Sequence, residues 1–581
     1  MSTLGGNWRR IASFALVLFF IFSIARQTRA VAGQSLAEQL LEIMRANHQI
    51  SEAQYKKLKK QAQAQRAAQL RTEKEYKQLK RQVREQRAAT EDRQIKTESQ
   101  VQQLKQQSAA TQAAVAKASL ITPGGKNIST NDQLRQTGTG NGGGGVNFNM
   151  KGVNVNIGGF IEAAGFYRNR WLGADVDAPF QNLPLGYSPH AFQDETRFSA
   201  RQSRISIRAQ GDVSPTVHVG GYYEMDFLGA APSANSNESN SYNLRIRHLF
   251  TTADWDTFGL HLLGGQTWSL ITMNSKGIEP FTVDNPLTID AQYVPGFNWT
   301  RQPQFRLVKD WDKTYWLGIS VESPSTAVGG VAPGTTNYAV NQPPLSGLFA
   351  SNLSVNDMPD VVEKAAWDAP FGHLELFNLT RQFQSNLIVG TGASKNLNDQ
   401  SIVGDAVGGA AIIPIPFVQG LHAEASAMYG QGIGRYGSGQ LPDATWDSTG
   451  AIKPITALHL LGNLTWSPCK EWTFYAYYGL EQAQRSYSGS SFGYGNPDIN
   501  VTVPYLDPTY KFQGAVKKVA QFTLGEWWNF YHGDFGNMVW GLQYSYTTDT
   551  FFSGTNGAGS ALSGPQSNDN MFYTSLRYYW N

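Results

Sequence analysis

The sequence predicts an all-β transmembrane barrel of about sixteen antiparallel strands, preceded by an N-terminal α-helical coiled-coil stalk. Three observations predict this fold class. From residue 154 onward, apolar and polar side chains alternate over segments of about ten residues, the length of a tilted membrane strand. The connections between these segments alternate between short and long. Aromatic residues gather at the segment ends, for example Trp472, Trp527, Trp528, Tyr531, Trp540 and Trp580.

The composition excludes several classes of protein. The chain has 581 residues, of which 58 are glycine, 12% are aromatic and only 16% are charged, which is unusual for a cytosolic enzyme. A single cysteine, Cys469, excludes a disulfide framework and a multi-cysteine metal site. The nine histidines form no H-x-H or H-E-x-x-H motif, and the sequence predicts no nucleophile elbow between a strand and a helix. We therefore expect no enzyme activity, no catalytic residues, no metal site and no cofactor.

Residues 1–32 are predicted to be a secretory signal peptide. Arg9 and Arg10 precede an apolar run of 14 residues from Ile11 to Ile24, which is too short to span a membrane as a helix. Ala30-Val31-Ala32, followed by Gly33, fits a cleavage site. The alternative is a membrane anchor that is not removed.

Residues 33–120 are predicted to be a periplasmic helical and coiled-coil region. Good helix formers dominate it and proline is absent, and Ser51 fits the N-cap of a helix that contains Tyr55. The apolar heptad positions are sparse, so a bundle of helices from several subunits and a solvated or disordered single chain both remain open. Because basic residues are mixed with glutamates and the chain is exported, peptidoglycan is a better candidate partner than nucleic acid. Residues 121–153 are predicted to be a glycine-rich linker.

Residues 154–581 are predicted to form the outer-membrane β-barrel. With an even number of strands, the start of the first strand and the end of the last strand lie on the same side of the membrane, which we expect to be the periplasm. Sixteen strands leave an aqueous channel. The last strand alternates from Phe572 to Trp580, one residue before the end of the sequence. The predicted strands are 154–168, 202–211, 216–228, 241–253, 257–271, 298–309, 314–322, 361–369, 372–384, 401–414, 421–431, 456–466, 471–482, 516–529, 537–549 and 570–580.

Charged residues recur on the polar face of the second, third and fourth predicted strands. Arginine is always charged and its planar fork suits carboxylate or phosphate groups, so several arginines on one wall would attract anions. The alternative is that the arginines pair with the acids between them and only brace the wall. The candidate pore-lining or solute-binding residues are Arg204, Arg208, Glu224, Asp226, Arg245 and Arg247.

Four motifs in this part of the chain carry a family resemblance. They are Ser199-Ala200-Arg201-Gln202-Ser203-Arg204, Tyr223-Glu224-Met225-Asp226-Phe227, Leu244-Arg245-Ile246-Arg247-His248 and Gly265-Gln266-Thr267-Trp268-Ser269. Together they resemble the DcaP-like trimeric porins, which are related to phosphate-selective porins. The resemblance implies a sixteen-stranded barrel with a periplasmic coiled coil that passes small, often anionic solutes such as dicarboxylates. It also implies that Arg204, Arg245 and Arg247 line the channel.

The long connection after the fifth predicted strand is the candidate constriction loop, because in trimeric porins this loop folds into the barrel. Its charged candidates are Lys276, Glu279, Asp284 and Asp290. An acidic loop that faces an arginine wall would create a transverse field across the channel, whereas a surface loop would not.

These observations lead to a hypothesis about function. We expect an outer-membrane porin of a Gram-negative bacterium, a homotrimer in outer-membrane lipid that allows passive diffusion of small hydrophilic solutes, with its N-terminal region in the periplasm. The alternative is a structural tether between outer membrane and cell wall, with a closed or incidental pore.

Overall fold

The computed structural model describes residues 146–580 except 187, 230–241, 331–353, 355, 390–395, 490–491, 499–513 and 556–560, together with residues 45, 51–53, 55–56, 59–60 and 81. The chain divides into two compact units, residues 1–118 and 119–581. The predicted signal peptide, most of the predicted helical region and most of the predicted linker lie outside the described residues.

The described residues of the N-terminal unit include one helical turn. It begins after Ser51, whose carbonyl oxygen accepts a hydrogen bond from the Tyr55 N–H at 2.8 Å. Lys59 Nζ donates to the Tyr55 hydroxyl, also at 2.8 Å. Across the described parts of the chain, no helix is both long and apolar enough to cross a membrane.

The second unit contains sixteen long antiparallel strands, as the sequence predicts. Their bounds are β1 Val153–Arg168, β2 Arg204–Ser214, β3 Val217–Gly229, β4 Asn243–Trp255, β5 Leu260–Trp268, β6 Arg301–Trp311, β7 Tyr315–Glu322, β8 Asp360–Ala369, β9 Gly372–Val389, β10 Asn396–Pro414, β11 Leu421–Gln431, β12 Thr456–Trp466, β13 Trp472–Ala483, β14 Val516–Gly533, β15 Gly536–Phe551 and β16 Gln566–Tyr579. Every predicted strand overlaps its counterpart, and the largest change at a start is in β10, which begins at Asn396 instead of residue 401.

The sheet closes on itself. Each strand pairs with the next one in sequence, and β1 also pairs with β16, from Phe160 opposite Tyr579 to Arg168 opposite Met571. Closure removes the free edges that an open sheet would expose. The last residues of the predicted linker differ from the expectation, because Val146–Met150 form a short strand that pairs with the start of β1 across a Lys151-Gly152 turn. Both turn residues have positive φ, which suits a two-residue hairpin.

The two faces of the barrel wall are inverted relative to a soluble sheet. On β7, Leu317 and Ile319 are 53% and 44% exposed on the outside, whereas Ser320 and Glu322 are each 1% exposed on the inside. The same order holds on β6, where Phe305 points outward and Arg306 inward. A polar interior and an apolar outer surface are the arrangement of a membrane barrel.

Aromatic residues form a band on the outer surface near the short turns. The indole rings of Trp472 and Trp528 stack at 5.6 Å, and Trp472 stacks on Phe474 at 5.7 Å. Trp528 and Trp540 are partly exposed, as expected for an interfacial band. The expectation for Trp527 is wrong: strand alternation turns this side chain into the barrel, where it is 1% exposed.

The connections are long at one end of the barrel and short at the other. The long connections include L1 (residues 169–203), L3 (269–300), L4 (323–359) and L6 (432–455), whereas residues 215–216 and 534–535 are among the short turns. The start of β1 and the end of β16 lie at the short-turn end, because sixteen is an even number. The alternation of long and short connections predicted from the sequence is therefore confirmed.

Candidate functional site

The candidate pore-lining residues lie together inside the barrel as a paired network, which we call the arginine wall: Arg204 and Arg208 on β2, Glu224 and Asp226 on β3, and Arg245 and Arg247 on β4. Arg245 binds Asp226 with two hydrogen bonds of 3.0 and 2.8 Å. Arg247 donates to Glu224 at 2.7 Å and to Asp226 at 3.0 Å. Both carboxylates are fully buried, so their ion pairs are protected from solvent.

A β-bulge on β4 places Arg247 in this network. Glu224 pairs with His248, and Met225 pairs with Ile246, so Arg247 is an extra residue in the ladder. As a result Arg247 and His248, although adjacent in sequence, are both buried inside the barrel. A bulge re-aims side chains in this way, and strict alternation does not reveal it.

The two arginines of β2 are less tightly paired with the acids. Arg204 Nη1 lies 3.7 Å from Glu224 Oε1, which is an ion pair without a hydrogen bond. The guanidinium group of Arg208 lies 3.9 Å from the ring centre of Phe281 in L3, a cation–π contact. Arg208 therefore connects the wall to the loop that enters the barrel.

L3 lies inside the barrel and contacts its walls on several sides. On the β8–β9 side, Lys364 Nζ donates to the Thr272 carbonyl and to Asn274 Oδ1, both at 2.9 Å. The Asn274 N–H donates to Glu375 Oε1 at 3.0 Å. These contacts hold the first part of L3, around Thr272 and Asn274, against inward-facing side chains of β8 and β9.

The middle of L3 reaches the opposite wall. The Leu287 N–H donates to the Tyr477 hydroxyl at 3.1 Å, and the indole N–H of Trp527 donates to the Leu287 carbonyl at 2.8 Å. The Ile289 N–H donates to Gln543 Oε1 at 2.5 Å. L3 therefore crosses the interior from β8 to β15 and divides it.

Asp290 connects L3 to L1. Its carboxylate accepts hydrogen bonds from the Tyr573 hydroxyl at 2.8 Å and from the backbone N–H groups of Gln292 and Ala178 at 2.9 and 3.2 Å. Burial raises the pKa of Asp290 to about 6, although the charge of Arg168 and these hydrogen bonds act in the opposite direction. The carboxylate is thus mostly ionised at neutral pH.

The charged loop candidates do not form a single acidic surface that faces the arginine wall. Asp290 lies on the β16 side, beside Arg168 rather than beside the wall. Lys276 is exposed, and Asp284 is buried. Glu279 is half-buried and acts electrostatically on Arg208, so its position agrees with the hypothesis of a transverse field.

Glu481 on β13 holds two loops at once. Its Oε1 atom accepts the Gly296 N–H of L3 at 2.8 Å and the Gly439 N–H of L6 at 2.7 Å. The carboxylate group lies so close to Gly437 and Gly439 that a methyl group at either position would overlap with it. The sequence patterns did not single out Glu481, because its role depends on contacts between distant parts of the chain.

Apolar side chains form a core inside the barrel. Residues of L1 and L3 pack against inward-facing aromatic residues of the wall, and all of them are buried. The members include Val176, Phe180, Leu287, Ile289, Tyr475, Trp527 and Val539. This core fills much of the β13–β16 side, and it extends to Trp268 and Tyr293 beside the arginine wall.

A cavity of about 810 Å³ with a mixed polar and apolar lining opens beside the arginine wall at the long-loop end. Three arginines from different elements line it: Arg245 of β4, Arg301 of β6 and Arg435 of L6. Arg301 packs on the ring of Trp268 at 4.8 Å, and Arg435 donates to Gln302 at 2.6 Å. The sequence patterns do not indicate Arg301 or Arg435. The two residues are far apart in the sequence, and only the fold of the barrel brings them to the same cavity.

Comparison with known proteins gives a fold and no sequence family. No family model matches the chain, and no curated protein matches it. The DcaP outer-membrane channel of Acinetobacter baumannii is similar in structure, with a TM-score of 0.52 and 18% identity over 74% of this chain and 99% of that chain. The anion-selective porin from Comamonas acidovorans gives a TM-score of 0.40 with 11% identity, over 74% of this chain and 100% of that chain. The trimer form of OmpT from Vibrio cholerae gives 0.37 with 10% identity at the same coverage.

The barrel, its inverted faces and its inward loop define the fold class of outer-membrane channels. Within that class, the chain has the fold of the DcaP channel. The resemblance to DcaP-like proteins predicted from the motifs in residues 199–269 is thereby confirmed at the level of the fold.

Proposed function

We propose that this protein is an outer-membrane porin of a Gram-negative bacterium, through which small hydrophilic solutes diffuse passively. The observation that carries the proposal is the inversion of faces in a closed sixteen-stranded barrel: apolar residues such as Ile319 face outward, and acidic residues such as Glu322 face inward. Outer-membrane lipid covers the apolar face, and water fills the polar path. The protein has no catalytic role in this proposal.

The solutes that the channel favours are anions, with dicarboxylates as the first class to test. The arginine wall together with Arg301 has five guanidinium groups and two carboxylates. Four of the five, those of Arg204, Arg245, Arg247 and Arg301, lie close to Glu224 and Asp226. Guanidinium groups therefore outnumber carboxylates in this network. The cavity of about 810 Å³ adds Arg435 at the entrance, and a fixed positive potential raises the local concentration of anions.

Planar lipid bilayers test both parts of the proposal. The purified protein should conduct, and its zero-current potential in a KCl gradient should show a weak preference for chloride. Arg245→Ala with Arg247→Ala should shift this potential toward potassium, whereas Glu224→Gln with Asp226→Asn should shift it the other way. The preference should weaken at high salt, because the screening length falls from about 10 Å at 0.1 M to about 3 Å at 1 M.

The two double variants control each other, because both disturb the same network but change its charge in opposite directions. Breaking a buried pair destabilises a protein by about 3–5 kcal/mol, so each variant is first checked for the heat-dependent gel mobility of a folded barrel. If both variants shift the potential in the same direction, or neither shifts it, the arginine wall does not set selectivity.

A structural tether with a closed pore is the second candidate, and the apolar core inside the barrel favours it. L1 and L3 bury Phe180 and Leu287 in the interior, where an open channel would contain water. Absence of conductance from correctly inserted protein would support the tether. In that case the helical region at residues 33–120 would carry the function, as a spacer toward peptidoglycan.

A further inference from the structure

Tyr293 of L3 has an unusual conformation for a buried aromatic residue. Its φ angle is 67°, in the left-handed region, and its side chain is 6% exposed. Bulky residues adopt this region at a cost of about 1–3 kcal/mol, and only when the surrounding structure determines it. The Tyr293 N–H donates to the Asp290 carbonyl at 3.1 Å, which helps to hold this turn.

The strained turn directs the phenol at the arginine wall. Arg247 Nη2 donates to the Tyr293 hydroxyl at 3.4 Å. The ring packs against Phe297 and Trp268, with ring centres 5.1 and 6.1 Å away. The charged and titratable groups around it are Arg204 on β2, Glu224 and Asp226 on β3, Arg245, Arg247 and His248 on β4, Arg301 on β6, and Asp290 in L3 itself.

We propose that Tyr293 is a specificity-determining residue of the channel: its phenol is a titratable counter-charge that reduces the anion preference of the arginine wall when it loses its proton. This inference rests on the proposed porin function and deepens it. While the phenol is neutral, the arginine wall together with Arg301 has five guanidinium groups and two carboxylates. A phenolate would be a third negative group, in contact with Arg247, and would reduce the excess positive charge.

The environment brings this titration into a useful pH range. Burial alone raises the pKa of a tyrosine, but the charges of Arg247, Arg204 and Arg301 outweigh burial and lower the pKa of Tyr293 to about 8. The phenol is therefore neutral at pH 6 and mostly ionised at pH 9. An ordinary tyrosine titrates near pH 10, so a loss of anion preference centred near pH 8 is the signature expected of Tyr293.

The test is the pH dependence of selectivity. Zero-current potentials of the intact protein are measured in a KCl gradient from pH 6 to pH 9.5. The chloride preference of the wild type should fall between pH 7 and pH 9 by roughly tenfold in permeability ratio. One unit charge about 6 Å from an ion in water changes the local concentrations of chloride and potassium by roughly threefold each, in opposite directions. Tyr293→Phe should keep its full preference up to pH 9. Tyr293→Asn should do the same, and asparagine tolerates the left-handed backbone.

Tyr477→Phe is the matched control, because Tyr477 binds the same loop through the Leu287 N–H on the opposite wall, away from the arginines. This variant should retain the alkaline loss of preference. A wild type that is anion-selective at pH 6 and unchanged at pH 9 overturns the inference but leaves the proposed function intact. A wild type without anion preference at pH 6 overturns the proposed selectivity itself. An alkaline loss that persists in Tyr293→Phe and Tyr293→Asn assigns the titration to another group and also overturns the inference.

Discussion

At the scale of single residues, the interior is organised by side chains that contact more than one loop. Glu481 illustrates this, because a single oxygen atom accepts hydrogen bonds from Gly296 and Gly439. A typical hydrogen bond contributes about 0.5–1.5 kcal/mol. The position of two loops inside the barrel therefore depends on one side chain of β13.

We expect Glu481→Ala to loosen L3 and L6, because it removes the acceptor for both N–H groups. Single-channel recordings should show larger current fluctuations in the open state. Glu481→Gln is the matched control: it keeps one carbonyl oxygen, which is enough for two bonds that end on the same atom, so its recordings should resemble the wild type. Equal behaviour of the two variants would contradict this role of Glu481.

The residues of the site could be predicted from the sequence only where strand alternation defines them. Alternate residues on paired strands share a face. This rule predicts the polar-face positions of Arg204, Arg208, Glu224, Asp226, Arg245 and Arg247. The inward position of His248 directly after Arg247 depends on a bulge, which leaves no clear periodic signal. Tyr293 depends on tertiary contacts of a loop, so no local pattern indicates it.

At the scale of elements, strands are predictable and loop paths are not. All sixteen strands could be placed because each one alternates over a membrane-spanning length, and even the weak tenth segment is confirmed as β10. The entry of L3 was expected from its place after the fifth strand. The entry of L1 and L6 was not expected, because their apolar residues, such as Val176 and Leu441, resemble ordinary loop composition until they pack inside.

Gly479 on β13 tests how closely L3 packs against the wall. A methyl group at Gly479 would overlap with the Pro295 carbonyl oxygen of L3, so Gly479→Ala should push this part of the loop toward the arginine wall. Overpacking of this kind costs about 1–3 kcal/mol. We expect a lower single-channel conductance and a lower unfolding temperature in heat-modifiability gels.

Gly462 on the neighbouring β12 provides the comparison for this substitution. A methyl group there would lie 4.0 Å from the nearest atom, the Glu424 carbonyl oxygen, so Gly462→Ala should leave conductance unchanged. If Gly479→Ala raises the conductance, or leaves it equal to that of Gly462→Ala, L3 is not seated against β13 in the membrane.

At the scale of the whole molecule, the barrel combines two environments that are usually kept apart. Its outer surface is apolar and its inner surface is polar on the side of the arginine wall, but an apolar core fills the side of β13–β16. The core holds the loops in place, and the charged network lies on the side of β2–β4. The interior of the barrel is thus packed with apolar side chains on one side and lined by charged side chains on the other.

Residues 33–120, the predicted helical region, precede the barrel in the chain. We expect deletion of residues 34–120 to leave a barrel that still inserts and conducts, because every barrel strand is paired on both sides and the closed sheet needs no partner for its backbone hydrogen bonds. Single-channel conductance of the deletion variant should match that of the full-length protein. Native mass spectrometry of both proteins tests the proposed homotrimer: three copies in both would assign assembly to the barrel, whereas trimers only in the full-length protein would assign it to the helical region. Loss of conductance in a correctly inserted deletion variant would mean that the helical region forms part of the pore, and the separation of the channel from its N-terminal region would then be wrong.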